Sequence, residues 1–369
     1  MRLKALAAMS GGVDSSVAAF LMKQAGWDCI GATMKLFDGE DEGLSAGKTK
    51  KSCCSLDDVN DARDVAYRLN IPHYVLNLKD DFRKNVIERF IKIYESGGTP
   101  NPCIDCNRFI KFNSLLFRAH QLEYDCLVTG HYARIEKSGD RFLLKKSADE
   151  RKDQSYVLYA MTQEQLRSAA FPLGAMRKED VRQIAAEQGF INAAKQDSQD
   201  ICFVPDGDYG AFMERYSGKM YPAGNIIDSA GNILGRHGGF VRYTIGQRRG
   251  LGISSASPLY VSAKSKKDNT VTLGPETELY SKVLTACGVN LIACGSLERP
   301  ARVSVKTRYM QLEQPALVEQ TGADLIRIEF DEPQRAVTPG QAAVLYDGGY
   351  VVGGGTIRDV DVGPAGRHD

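Results

Sequence analysis

The chain has 369 residues, 47 of them Lys or Arg and 46 Asp or Glu, for a net charge of +1. That length favours two or three domains over one core, and an ordinary share of hydrophobic (43%) and charged (25%) residues excludes a mainly disordered or fibrous chain. With so little net charge, a polyanionic partner must be gripped by local basic patches, and no stretch approaches the ~20 apolar residues of a membrane span.

Residues 1–205 read as alternating strands and helices. Residues 3–9 are a short apolar run, 10–14 a turn, and 16–24 helical in pattern, with Gly26 placed to end the helix. The opening run resembles an export signal poorly, because Ser10, Gly11, Gly12 and Asp14 cut it short. A strand follows over 28–35, then a Gly-, Asp- and Lys-rich loop over 38–52. Next come an amphipathic helix over 57–69 with Ser55 as its N-cap, a strand over 74–78 and a helix over 81–94. A Gly/Pro/Cys loop over 96–107 precedes a helix over 112–121 and a short buried strand over 126–129. This rhythm predicts an α/β fold: a parallel sheet with helices on both faces, its ligands at the carboxyl ends of the strands. Residues 134–146, with Ser138-Gly139-Asp140 at their centre, predict a β-hairpin. After Pro205 the texture changes. Residues 206–280 are rich in Gly, Tyr and Arg. Short strands over 301–307, 324–330 and 342–346 predict a small antiparallel barrel within 281–369.

The strongest chemical signal is Ser10-Gly11-Gly12-Val13-Asp14-Ser15-Ser16, between a predicted strand and a predicted helix. Its two glycines can take positive φ and turn backbone N–H groups inward. With the helix N-terminus and the Ser15 and Ser16 hydroxyls they form a phosphate cradle, and Asp14 suits Mg²⁺ or a phosphate-bound water. The plainer alternative is a tight turn with serine caps. Gly43-Leu44-Ser45-Ala46-Gly47-Lys48-Thr49 imitates a nucleotide-binding P-loop. It has Glu42 where glycine is required and follows no strand, so it reads as a solvated loop.

Nine cysteines in a long chain without an export signal favour thiols, metal ligands or catalytic sulfurs over a disulfide framework. Asn101-Pro102-Cys103-Ile104-Asp105-Cys106-Asn107 contains a single C-x-x-C, which fits half a zinc site, a redox pair or part of an iron–sulfur site. There is no second C-x-x-C, and adjacent Cys53-Cys54 is awkward for one tetrahedral metal. Cys202, in Lys195-Gln196-Asp197-Ser198-Gln199-Asp200-Ile201-Cys202, is expected on a short strand behind a polar loop. A lone cysteine is usually a small buried hydrophobe; with Cys106 it becomes a candidate two-thiol centre. Gly130-His131-Tyr132 follows a buried strand and should line the same sheet edge as the phosphate loop. The basic turn Arg151-Lys152-Asp153-Gln154-Ser155-Tyr156, with Arg242-Tyr243, Gln247-Arg248-Arg249-Gly250 and Lys306-Thr307-Arg308-Tyr309, fits either solvated faces or a nucleic-acid surface.

These motifs, in this order, closely resemble the bacterial tRNA 2-thiouridylases (tRNA-uridine 2-sulfurtransferases) over nearly the whole chain; Ser-Gly-Gly-Val-Asp-Ser alone marks only the wider ATP-pyrophosphatase superfamily. Besides the phosphate loop, the likeness rests on Thr99-Pro100-Asn101-Pro102 leading to Cys106-Asn107, Gly130-His131-Tyr132 and Lys152-Asp153-Gln154-Ser155-Tyr156. It continues through Ile201-Cys202-Phe203, Gly246-Gln247-Arg248, Val305-Lys306-Thr307-Arg308-Tyr309 and Thr338-Pro339-Gly340-Gln341. The resemblance implies a nucleotide-binding catalytic domain over 1–205, a small linking domain over 206–280 and a tRNA-contacting β-barrel over 281–369. It implies ATP-dependent 2-thiolation of the wobble uridine, with ATP on Ala8, Met9, Ser10, Gly11, Gly12, Val13, Asp14, Ser15, Met34 and Gly130. Cys106 matches the family nucleophile and Cys202 the persulfide carrier, and turnover would leave a disulfide between them. Asp14 joins them as a catalytic candidate. Contacts to tRNA would fall on Asn101, Pro102, Cys103, His131, Lys152, Asp153, Gln154, Arg308, Tyr309 and Gln341.

One departure matters. Many relatives carry Asp at the position of Cys103, where it looks like a general acid/base; here either proton transfer passes to Asp105 or water, or that role is dispensable. Cys103, Cys106 and Cys202 would also offer three thiolates to an iron–sulfur cluster. ATP and Mg²⁺ are the expected cofactors. The expected partners are tRNAs of the glutamate, lysine and glutamine type and a persulfide donor, for a cytoplasmic monomer. Another adenylating enzyme of the superfamily, such as an amidotransferase-type synthetase, and a non-catalytic nucleotide- or RNA-binding protein are the competing expectations.

Overall fold

The computed structural model describes residues 3–37, 56–197 and 201–361. The predicted loop over 38–52, the P-loop imitation, Cys53-Cys54, Ser55 and Ser198 lie outside them. The described residues form two compact units. The first holds the residues up to Glu88, Pro102–Gly207 and Gly349–Val351; the second holds Arg89–Asn101, Asp208–Gly348 and the residues from Val352 onward.

The first unit is built on a parallel sheet of β1 (Lys4–Ala8), β2 (Asp28–Lys35), β3 (His73–Asn77), β4 (Cys126–Val128) and the two-residue β7 (Ala169–Ala170). Hairpin strands β5 (Ala133–Ser138) and β6 (Arg141–Lys146) pair antiparallel beyond β4, with Gly139 at φ +57° in their turn. The sheet order is β3-β2-β1-β4-β7, every pair parallel. The chain therefore winds one way from β1 to β3 and then crosses back to β4 on the other side of β1. Such a reversal leaves a crevice at the strands' carboxyl ends, where doubly wound folds bind ligands. The phosphate loop follows β1, and Gly130-His131-Tyr132 follows β4, so both flank that crevice. β1 is apolar on both faces because helices cover both. Ala5, Ala7, Val17, Ala62, Val65, Val128 and Val181 are fully buried together in this core.

Helix α1 (Val13–Gln24) starts three residues earlier than its hydrophobic pattern predicts, because Val13 already packs in the core. Helix α2 (Leu56–Arg68) lies on the same sheet. The main departure concerns residues 102–107, expected in a loop. The chain is helical from Pro102 through Gln121, as a short α-turn Pro102–Asp105, a π-helix Cys106–Leu115 and an α-helix Leu116–Gln121. Proline is pre-set for a helix's first turn, where its missing N–H costs nothing, so Pro102 starts a helix here. A second correction concerns Cys202. Residues 201–205 form a turn, closed by the Val204 N–H donating to the Ile201 carbonyl at 2.9 Å, and not a strand. Ile201, Phe203 and Val204 carry strand propensity, but among the described residues no strand pairs with this segment.

The second unit contains a four-stranded sheet and a barrel. The sheet runs Tyr260–Ser265, Thr270–Gly274, Gly224–Asp228, Ile233–His237, with one parallel pair in the middle. The barrel has six antiparallel strands and is closed by pairing of Tyr280–Leu291 with the strand that ends at Asp361. Its interior holds Leu284, Val305, Ala316, Ile328, Phe330 and Leu345.

Candidate active site

Only Gly11 of the two loop glycines adopts positive φ, at +74°; Gly12 is extended at φ −89°. Gly11 is required twice over, since a Cβ there would sit 2.3 Å from the Asp58 carbonyl of α2. The serine hydroxyls turn inward: Ser15 and Ser16 Oγ each donate to the Gly12 carbonyl at 3.0 Å. They brace the loop, and its backbone N–H groups and the start of α1 carry the anion-binding character. Gly130 is equally constrained. A Cβ would come within 2.7 Å of the Asp14 carbonyl carbon and 2.8 Å of the Ser15 nitrogen, so the end of β4 abuts the loop.

Two side chains clasp the loop from the segment that precedes Cys202. Asn192 Nδ2 donates to the Gly11 carbonyl at 3.0 Å and to Ser16 Oγ at 2.9 Å. Lys195 Nζ donates to the same carbonyl at 3.1 Å and pairs with Asp58 at 2.6 Å and Asp61 at 2.5 Å.

Asp14 is the centre of a charged network. Its carboxylate accepts from Tyr132 Oη at 2.8 Å and from Lys178 Nζ at 2.7 and 2.8 Å. Lys178 also pairs with Asp197 at 2.7 Å. Asp197 further accepts Lys152 Nζ at 2.8 Å and Arg182 Nη2 at 3.2 Å. Burial alone would raise the Asp197 carboxyl; hydrogen bonds from Lys152 and Lys178 outweigh it and hold the group below its ordinary range. Burial, followed by the Asp14 charge, pushes the Tyr132 phenol far up, so it stays a neutral donor. Lys178 opens the helix Lys178–Glu187, and neither it, Asn192 nor Lys195 drew notice as a site residue in the sequence. A lysine in a charged helix start gives no signal by itself. Only the fold carries Lys178 to Asp14, 164 positions away.

His131 is buried between Phe112 and Phe171. Its Nδ1 lies 2.7 Å from Thr129 Oγ1 and its Nε2 3.4 Å from Lys111 Nζ. Burial, then the Lys111 charge, holds its pKa well below 6.5, so the ring is neutral at physiological pH. Asp153 caps its own turn, accepting the Ser155 hydroxyl at 2.6 Å and the Ser147 N–H at 2.9 Å. Gln154 Oε1 accepts the Tyr132 N–H at 2.9 Å. The helix Ser155–Leu158 packs on both the Pro102–Asp105 turn and the Cys106 helix. There Asn107 Nδ2 donates to the Val157 carbonyl at 3.1 Å.

The thiols differ in setting. Cys103 is exposed, whereas Cys106 and Cys202 are half-buried. Phe203 stacks edge-on against Phe82 at 5.7 Å, and the turn Lys79–Phe82 packs against the helix that begins at Cys106. Cys202 and Cys106 thus belong to neighbouring packed elements. Among the described residues no three His, Cys, Asp or Glu side chains are grouped to hold a metal. Cys103, Cys106 and Cys202 therefore do not stand as a ready cluster site. Asp14 does not stand as an open Mg²⁺ ligand either, since both its oxygens accept hydrogen bonds.

In the second unit, Gln341 Nε2 donates to the Thr99 and Pro100 carbonyls, each at 3.1 Å, next to half-buried Asn101. Arg308 Nη2 donates to the Ile245 and Ala336 carbonyls at 3.1 and 2.9 Å. Tyr309 is half-buried beside it, and Met34 is half-buried near the end of β2 in the first unit.

This combination defines a nucleotide-binding α/β domain followed by β modules. Residues 3–206 match the family model described as tRNA methyl transferase HUP domain, 210–275 its PRC-barrel domain, and 281–357 an aminomethyltransferase beta-barrel domain. The chain is 50% identical over 357 residues to the tRNA-specific 2-thiouridylase MnmA of Acetivibrio thermocellus, covering 96% of this chain and 99% of that one. It is 49% identical to the protein of the same name from Clostridioides difficile, covering 97% and 99%. This chain belongs to the tRNA-specific 2-thiouridylase family. Among solved structures, a U34-tRNA thiolase NcsA from Methanococcus maripaludis aligns with 59% of this chain and 71% of its own. Its TM-score is 0.33 at 15% identity, too low to bear on ligands.

Proposed function

We propose that this chain replaces the C2 oxygen of the wobble uridine of tRNA with sulfur, at the expense of ATP. The observation that carries this function is the junction at Asp14. There the phosphate loop is hydrogen-bonded, through Lys178 and Asp197, to the segment leading into Cys202. The nucleotide loop is thereby tied to the segment that precedes a half-buried thiol, in a chain whose relatives are thiouridylases over almost their whole length.

The uracil C2 oxygen is a poor leaving group, so the first step attaches AMP to it and releases pyrophosphate. The N–H groups of Gly11 to Ser15 bind that pyrophosphate as its charge develops, with Ala8, Met9, Ser10, Met34 and Gly130 completing the nucleotide site. A donor then places a persulfide on Cys202. Its terminal sulfur attacks C2, and AMP departs with the oxygen. The Cys106 thiolate attacks the Cys202 sulfur, so the sulfur–sulfur bond breaks and its electron pair remains on the sulfur at C2. The products are 2-thiouridine and a Cys106–Cys202 disulfide, which an external dithiol reduces.

The target base must leave the anticodon stack to be reached. Asn101, Pro102, Cys103, His131, Lys152, Asp153, Gln154, Arg308, Tyr309 and Gln341 are assigned to tRNA recognition. Buried His131 acts as a neutral wall, and Gln341 acts through the Thr99-Pro100 loop. Affinity should fall with salt as Lys and Arg contacts to phosphate are screened. No described helix is long and apolar enough to cross a membrane; a cytoplasmic monomer acting on glutamate, lysine and glutamine tRNAs completes the proposal.

The test is nucleoside mass spectrometry of those tRNAs, unmodified, after incubation with the protein, ATP, Mg²⁺ and a persulfide donor. ATP-dependent 2-thiouridine is expected. Pyrophosphate without thiouridine would leave an adenylating enzyme with another acceptor chemistry. Neither product, from folded protein that binds tRNA, would leave a binding protein.

A further inference from the structure

A carboxylate at the mouth of a phosphate cradle is an electrostatic problem. Asp14 lies two residues after Gly12, in the first turn of α1, and an incoming polyphosphate would meet its negative charge at short range. The structure answers with a buried ammonium. Lys178 Nζ reaches both oxygens of Asp14 and the nearer oxygen of Asp197, and lies 5.8 Å from the centre of the Tyr132 ring. Lys178 is itself only 6% exposed. Its backbone N–H is fixed by Asp149 at 3.1 Å, so the side chain is aimed from a rigid base. Lys152 and Arg182 also contact Asp197, so Lys178 is not alone in neutralising that carboxylate.

We infer that Lys178 is the resident cation of the phosphate site, a positioning residue that neutralises Asp14 and holds it off the bound phosphates. This rests on the assignment of the Ser10 to Ser15 loop to nucleotide phosphates. It gives Asp14 a role as the anchor of an ammonium.

The test is equilibrium binding of inorganic pyrophosphate and of ATP to the full chain, each with EDTA and with Mg²⁺. Wild-type protein should bind pyrophosphate in EDTA. Lys178→Met should weaken that binding by about tenfold or more, because a bare carboxylate then faces the anion. Lys178→Arg should stay within a few-fold of wild type. Asp14→Asn combined with Lys178→Met should recover most of the loss, since the uncompensated charge is gone. A purely structural role would not be rescued by removing a second partner. Equal binding by wild type and Lys178→Met would overturn the inference. So would a double variant as weak as Lys178→Met while its thermal unfolding matches wild type. Wild-type protein that binds neither ligand in either condition would instead overturn the assignment of the loop.

Discussion

Lys264→Met offers a test in which magnitude decides the outcome. Lys264 is half-buried in the second unit, its ammonium donating to the Tyr243 carbonyl at 2.8 Å and reaching the Gly98 carbonyl at 3.4 Å, 5.7 Å from the centre of the Tyr94 ring. Burial lowers its pKa from 10.5 to about 8, with no carboxylate to offset it. In the unfolded chain the group keeps its proton until about 10.5. Between those values the unfolded state therefore binds more protons, and stability rises with pH. A difference of about 2.5 units corresponds to about 3 kcal/mol, gained between pH 8 and 10.5. At pH 7 the same amount is a standing cost of keeping the ammonium buried. Methionine removes that cost but leaves two carbonyls without their donor, at about 1–3 kcal/mol. The two effects nearly cancel at neutral pH, so the slope is diagnostic and the level is not. Urea unfolding followed by far-ultraviolet circular dichroism, for both proteins from pH 7 to 10.5, should show the wild type gaining about 3 kcal/mol on the variant. Parallel profiles would refute the reasoning. Lys264 and Gln341 hold the same Gly98-Thr99-Pro100 stretch, so the variant should also weaken tRNA binding.

Further outcomes concern the active site. Cys202→Ser should abolish 2-thiouridine while leaving tRNA-dependent pyrophosphate release; loss of both would void the division between adenylation and sulfur carriage. Asp14→Ala should remove adenylation itself, measured as pyrophosphate released, and unimpaired release would sink its role. His131 is held neutral when folded, whereas in the unfolded chain it takes a proton below about 6.5. Stability should therefore fall as pH drops below that value. His131→Gln should flatten the decline in a thermal-unfolding series from pH 7 to 5, and an unchanged slope would count against the buried neutral ring.

The elements that position the site were legible where the local pattern and the tertiary environment agree. The strand over 28–35 is found over those residues, and the strand-turn-helix around Ser10 to Ser16 is where its glycines and small residues place it. The juxtaposition of Gly130 with the loop was also foreseen, because both follow adjacent parallel strands. Failures arose where distant contacts decide. Residues 102–107 looked like a loop because Pro, Cys, Asp and Asn are poor helix formers. Packing of Ile104, Ile110 and Leu115 overrides that preference. Cys202 looked like a strand residue because apolar β-formers surround it, but among the described residues no strand pairs with them. Lys178 was invisible for another reason: Arg177-Lys178-Glu179-Asp180 reads as a solvated helix start, and nothing local distinguishes a lysine that turns inward.

The π-helix that begins at Cys106 has a consequence for how this chain can tolerate change. Each residue advances an α-helix by about 100°, and a π-turn accommodates one residue more than an α-turn. Ile110, Phe112 and Leu115 are locked into the core, so they fix the rotational phase of everything before them. Deleting one residue between Arg108 and Ser114 would let the wide turns relax to ordinary pitch. An α-helix with one residue fewer turns through nearly the same total angle, so Cys106 would keep its direction and shift mainly along the axis. This helix therefore holds a residue in reserve: a single deletion within its wide turns leaves Cys106 facing the same way, whereas the same deletion in an ordinary α-helix would rotate it by about 100°.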